Sequence, residues 1–364
     1  MMTKIRKLLA LTIFNVIVVT LVFLFCEGLS STILIVNRFV KISLVAERLH
    51  TEYDETLGWI NLPNTYIADM YGPNIYLKTN KQRFRNNIDF SLRVPKNKTR
   101  IICSGDSFTL GYGVDNDHTW CQLLATINGQ VETVNMGQGG YGIDQAYLWY
   151  KRDGSKLDLD IHVFGFITSD FRRMQSDKFL NYDKPILELY DGILVTKNVP
   201  VPEPSFFRVW LNRNQSIISN LSSIRLLQKL LFQKTPVKSN KSDNQTRQVA
   251  LKIFQDMQQV NQTKNSVLVL VYLPTKGDYI GNASEPWRQF LHTEAAKHNL
   301  LYIDLVGEFK ELPSETIKNM FIAKGVMNYQ GAAGHYTEEG NAYIARALYD
   351  KLLRIPEISE KLEP

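Results

Sequence analysis

Four stretches carry residue types that can do acyl-transfer chemistry. Ser107 lies in 102-ICSGDSFTLGYGV-114, directly after an apolar run and behind Gly105 and Asp106. The plain reading is a strand-to-helix turn with Asp106 or Ser107 as N-cap. The sharper reading is a nucleophile presented at the carboxyl end of a strand, where ligands collect in open α/β sheets. A serine nucleophile needs a base, and only six histidines are available: His50, His118, His162, His292, His298 and His335. His335 stands in 331-GAAGHYTEEGNAYIARALYDKLL-353, on a glycine-bearing loop just ahead of a helical pattern. Acyl transfer also needs N–H donors for the developing oxyanion, and glycine lets the backbone approach a substrate closely. Four glycines in 135-NMGQGGYGIDQ-145 make a loop with exposed amides, among them Gly140. Polar residues Ser169 and Asp170 follow a further apolar run in 168-TSDFRRM-174. The serine is not in a Gly-x-Ser-x-Gly elbow, because Thr109 occupies the place of the second glycine.

These residues must be positioned by regular elements. Apolar, β-rich runs recur at Arg100–Cys103, Val131–Met136, Ile161–Ile167, Val267–Leu273 and Leu300–Leu305, with helical patterns between several of them, such as Trp120–Ile127 and Glu285–His298. Near-continuous apolar strands alternating with helices predict a parallel sheet covered on both faces. After His335, Thr337 suits an N-cap, Glu338 and Glu339 suit a first turn, and Ile344, Leu348 and Leu352 form an apolar stripe. The stretch 172–262 reads as an insertion. Within it Leu187–Val195 reads as a hairpin turning at Asp191-Gly192, Phe206–Phe232 as helical, and Lys234–Arg247 as a polar loop. Residues 52–95, rich in aromatics, Asn and Pro in short alternating runs, suit small β-hairpins.

The N-terminus is of a different kind. Lys4, Arg6 and Lys7 precede an apolar run from Leu8 to Cys26, interrupted only by Thr12, Asn15 and Thr20. About 20 apolar residues span a bilayer as a helix, and the basic flank belongs on the cytoplasmic side. A cleaved signal peptide is the rival reading, but Phe25-Cys26-Glu27-Gly28 lacks a small-x-small cleavage site. The expected organisation is an anchor over 1–28, a stalk and β-rich leader over 29–95, and an α/β domain over 96–358. The three cysteines, Cys26, Cys103 and Cys121, exclude a disulfide framework; Cys103 and Cys121 are either buried thiols or one bridge. The net charge of +6 is spread along the chain without a basic run, so no nucleic-acid partner is expected. Metal-ligand spacing and phosphate loops are lacking too, so no metal or nucleotide cofactor is expected.

Taken in order, Gly-Asp-Ser, Asn-x-Gly-x-x-Gly, a polar strand end and His-x-Thr-x-x-Gly-Asn resemble the SGNH (GDSL-type) hydrolase superfamily over about residues 99–354. The upstream segments 54-DETLGW-59 and 79-TNKQRFRN-86 look like the leader of membrane-anchored bacterial members. The resemblance implies a three-layer α/β/α fold with about five parallel strands. It also implies Ser107 as nucleophile and first oxyanion donor, Gly140 as second donor and His335 as base. Two positions depart from the family pattern. Ser169 stands where the family has an oxyanion Asn. Ala332 and Ala333 stand where it has the Asp that orients the histidine, leaving Asp304 or Asp170 as remote substitutes. The expected activity is an extracytoplasmic serine esterase or O-acyltransferase acting on an ester, such as an acetyl ester of an envelope glycan. The alternative is a catalytically weak carbohydrate-binding or assembly protein that keeps the fold.

Overall fold

The computed structural model describes residues 2–38, 49–180, 182–203, 241–327 and 329–363. The chain divides into two compact units, residues 1–44 with 204–236, and residues 45–203 with 237–364. The expected helix over Phe206–Phe232 lies outside the described residues, as do parts of the stalk and of the polar loop before residue 241.

In the first unit, helix α1 runs over Met2–Arg38. Its segment Ile5–Thr32 is 28 residues long with mean hydropathy 2.8, long and apolar enough to cross a membrane. At 1.5 Å per residue this is about 42 Å, against ~30 Å of bilayer hydrocarbon.

The second unit is built on a five-stranded sheet. Its strands are β5 (Thr99–Gly105), β6 (Val131–Gly137), β7 (Ile161–Phe166), β12 (Val267–Tyr272) and β13 (Leu301–Asp304). They lie in the order β13-β12-β7-β5-β6, and every pairing is parallel. β5 is buried along its whole length. Ile102 faces one apolar layer with Val134, Phe164 and Leu270, while Ile101 and Cys103 face the other with Val163 and Val269. This is the two-residue alternation of a strand covered on both faces. Because β5 is the first strand of this sheet and later strands add on either side of it, the strand order reverses between β5 and β7. That reversal opens a crevice at the carboxyl ends.

The end of the 172–262 stretch is part of this core. Ser242 caps a helix over Asp243–Thr263 by accepting from Gln245 N–H while Gln245 reaches back to Ser242 N–H. Val249, Ile253, Phe254 and Met257 then pack under the sheet. The polar run up to Arg247 is therefore helical from Asp243 onward, not a loop: the capping residues outweigh its polar composition. The hairpin expected over Leu187–Val195 is present as β10 (Ile186–Tyr190) and β11 (Ile193–Lys197), turning at Asp191-Gly192.

Residues 51–78 form two hairpins, β1 (Thr51–Asp54) with β2 (Gly58–Asn61), and β3 (Tyr66–Gly72) with β4 (Ile75–Lys78). They are packed into the same unit as the sheet. Met70, Tyr71 and Leu77 share a core with Leu110, Tyr112, Ile322 and Ala332. Cys103 and Cys121 are joined as a disulfide, with Cα atoms 6.1 Å apart, which is one of the two alternatives left open above. The bridge ties β5 to helix α3 (Trp120–Ile127).

Candidate active site

β5 ends at Gly105, and Asp106 takes an extended conformation before helix α2 (Ser107–Leu110). The Asp106 carboxylate accepts the Phe108 N–H at 2.8 Å, so Asp106 is the N-cap. This leaves the Ser107 hydroxyl for other work. It lies 2.8 Å from His335 Nε2. The Ser107 N–H and the Gly140 N–H have no hydrogen-bond partner among the described residues, and both residues are buried. A buried N–H without a partner is costly, and such donors are what an oxyanion site holds in reserve. Gly140 has φ +76°, in the left-handed region. The Ser169 hydroxyl, at the start of α5 (Thr168–Arg173), has no partner among the described residues either.

His335 is carried by a loop pinned to residues 320–322. Ile322 N–H donates to the His335 carbonyl at 2.8 Å, and Gly334 N–H to the Ile322 carbonyl at 2.8 Å. Thr337 then caps the helix Glu338–Leu352 through Gly340 N–H, as its sequence suggested. Asn341 ties that helix to α3 by accepting Trp120 N–H at 2.9 Å. The imidazole lies between Phe108 and Tyr112, with ring centroids 4.5 and 5.0 Å away. Burial, opposed by the Asp106 charge, lowers its pKa to about 4, so the ring is neutral at pH 7 and able to accept a proton. Its Nδ1 is buried and makes no well-formed hydrogen bond. The backbone of Ala332 and Ala333 favours the charged ring at that end, but among the described residues no carboxylate completes the pair.

Neither remote acid is bonded to His335; each is held by an arginine and a backbone N–H. Asp304 binds Arg288 at 2.8 Å and caps Val306 N–H at 2.9 Å. Asp170 accepts Ile167 N–H at 2.9 Å and Arg173 at 2.5 Å. Arg173 also donates to Asp106 at 3.0 Å and to the Tyr141 carbonyl at 2.9 Å. Arg173 thus sits between two buried acids beside the nucleophile. Burial and the Asp106 charge push the Asp170 carboxyl well up. Sequence reading did not find this cluster: Asp170 and Arg173 are neighbours on α5, but Asp106 lies 67 residues before Arg173, at the end of another strand. Nor did it find a second Ser–His pair. Ser104 Oγ lies 2.6 Å from His162 Nε2, with Asn261 Nδ2 3.2 Å from Nδ1 and Tyr150 stacked at 3.7 Å. Both residues are 0–1% exposed, so no substrate reaches them. This pair is a satisfied core network.

No family model matches the chain, and no curated protein does. Among solved structures it is similar to a member of the lipolytic protein G-D-S-L family from Veillonella parvula, at 16% identity over 70% of this chain and 99% of that one, with a TM-score of 0.38. It is similar to an acetyl xylan esterase at 16% identity over 69% and 98%, TM-score 0.40. It is also similar to the lipase/acylhydrolase from Enterococcus faecalis at 13% identity over 70% and 95%, TM-score 0.36.

Proposed function

We propose that the chain is an SGNH-type serine esterase or O-acyltransferase, anchored in a membrane by α1 and acting outside the cytoplasm on an ester of an envelope glycan. The observation that carries the reading is the 2.8 Å contact between Ser107 Oγ and His335 Nε2 at the carboxyl end of β5. Ser107 Oγ attacks the ester carbonyl carbon as its proton passes to His335 Nε2. The carbonyl oxygen takes the negative charge between Ser107 N–H, Gly140 N–H and the Ser169 hydroxyl. The carbon–oxygen bond to the leaving alcohol then breaks, and the imidazolium returns the proton to that alkoxide. The acyl-serine is released by water in hydrolysis, or by a sugar hydroxyl in transfer, with His335 again taking the proton. No metal or cofactor enters these steps.

The placement outside the cytoplasm rests on Lys4, Arg6 and Lys7 ahead of the apolar segment, and a Cys103–Cys121 disulfide suits an oxidising compartment. One observation favours the second reading, a catalytically weak carbohydrate-binding or assembly protein: His335 Nδ1 has no carboxylate partner among the described residues. Hydrolysis of a p-nitrophenyl acyl ester panel, beginning with acetate, separates the two. The esterase reading expects turnover that Ser107→Ala abolishes. Turnover that survives in Ser107→Ala, or none in the wild type, defeats it. For topology, a reporter fused after residue 364 should be active only outside the cytoplasm; cytoplasmic activity refutes the orientation.

A further inference from the structure

The leader, in hairpin β1–β2 and in the segment after β4, grips both halves of the site. Trp59 in β2 donates its indole Nε1–H to the Gly139 carbonyl at 2.9 Å. The Tyr141 hydroxyl, two residues further along the same loop, donates back to the Trp59 carbonyl. The Gly139 carbonyl and the Gly140 N–H belong to one peptide unit. A peptide is planar and trans, so its C=O and N–H point in opposite directions. Whatever holds the Gly139 oxygen therefore sets the direction of the Gly140 N–H. At φ +76° Gly140 has no side chain to wedge this plane, and a glycine-rich loop is otherwise free to rotate it. Trp59 is 7% exposed and packs on Tyr141 and Phe179, so the indole is itself fixed.

On the other half, Arg85 is fully buried. All five of its N–H donors have acceptors. Nη1 reaches the carbonyls of Leu110 and Gly111 at 2.7 and 2.5 Å, and Nη2 those of Val114 and Tyr76 at 2.5 and 3.4 Å. Nε reaches Asn116 Oδ1 at 2.9 Å. Three of these acceptors line the turn that leaves α2, whose carbonyls have no helical partner. That turn carries Tyr112 against the His335 ring. It also places Gly113 so close to Ile322 that any Cβ there would collide with the Ile322 side chain.

We infer that the leader is a working part of the active site, in which Trp59 aims the Gly140 N–H at the oxyanion and Arg85 holds Tyr112 against the His335 imidazole. Both are positioning residues, since neither reaches the reacting atoms. The inference rests on the reading of Ser107, His335 and Gly140 proposed above and gives Trp59 and Arg85, ahead of the catalytic sheet, a part in that site.

Trp59→Phe keeps an aromatic ring and removes the one N–H. In the full chain in detergent, kcat for p-nitrophenyl acetate should fall about 10-fold with KM within two-fold, less than the 10²-fold or more for losing an oxyanion donor outright. The rate at which a fluorophosphonate labels Ser107 should fall with it. In a Gly140→Val background the same substitution should cost nothing further, because the plane it aims no longer serves; a purely structural tryptophan would cost the same in both backgrounds. Arg85→Lys tests the other half. It leaves three donors for five acceptors, and kcat should fall at least 5-fold. Wild type that neither labels at Ser107 nor hydrolyses the ester refutes the proposed function and this inference together. Wild type that does both, with folded Trp59→Phe within two-fold of it or with additive losses in the Gly140→Val background, overturns the inference alone. Should Trp59→Phe not fold, Arg85→Lys at wild-type kcat overturns it instead.

Discussion

The missing acid can be supplied. Ala333 is two residues from His335 and partly exposed, whereas Ala332 is fully buried, with its Cβ 3.3 Å from where a Gly113 Cβ would lie. An aspartate at 332 would carry a charge into a packed wall, so Ala333→Asp is the variant to make. Its carboxylate would meet a buried Nδ1 that makes no well-formed hydrogen bond. The His335 pKa is lowered to about 4 by burial; returning it to the ordinary 6.5 stabilises the imidazolium by about 3.4 kcal/mol at 1.36 kcal/mol per unit. If about half of that is felt in the transition state, kcat/KM should rise ~20-fold, well inside the ~10⁴-fold that separates a full triad from one lacking its acid. The sign of the pH effect follows. Activity requires neutral His335, so wild type should hold its rate down to about pH 4, and Ala333→Asp should lose rate below about pH 6.5. The assay is kcat/KM for p-nitrophenyl acetate from pH 4 to 9, with the fold checked by circular dichroism at each pH. A folded Ala333→Asp whose acid limb stays near pH 4 and whose kcat/KM does not rise refutes the reasoning. Wild type whose limb already lies near 6.5 and moves in Asp304→Asn would replace the dyad by a triad built from a distant strand.

Gly140→Val should lower kcat by about 10²-fold or more, because it displaces one oxyanion donor and places a β-branched residue at φ +76°; unchanged kcat in a folded variant removes Gly140 from the site. Reducing the Cys103–Cys121 bridge, which spans 18 residues, should cost about 3 kcal/mol of stability in denaturant titration; equal midpoints with and without reductant contradict it. His50 is fully buried with neither ring nitrogen hydrogen-bonded among the described residues, and burial lowers its pKa to about 3. Below pH 6.5 the unfolded chain takes up a proton that the buried ring refuses, so wild type loses stability as pH falls towards 3. His50→Leu should therefore be the more stable protein, by about 1–3 kcal/mol at pH 7 and ~2 kcal/mol more than that at pH 5; a variant less stable at both pH values refutes this.

The sequence by itself determined the framework. Five apolar runs with helical patterns between them specify a parallel sheet, because a strand covered on both faces must be apolar on both. Ser107, Gly140 and Ser169 each follow such a run, and so could be placed at carboxyl strand ends by topology alone. The cap at Thr337 and the apolar stripe behind it are local and were legible for the same reason. Only the tertiary structure decided that Asp106, not Ser107, caps α2, which turns on where one carboxylate lies relative to one N–H. Likewise, the contact of Arg173 with Asp106, 67 residues earlier in the chain, and the Cys103–Cys121 pairing join residues whose proximity no local pattern encodes. The leader shows the limit most plainly. Its composition announced hairpins, but that an indole N–H in β2 holds the peptide next to Gly140, 80 residues away, is a property of packed surfaces. Local propensity and periodicity are written in neighbouring residues; the direction of a hydrogen bond between distant segments is set only when the core beneath them closes.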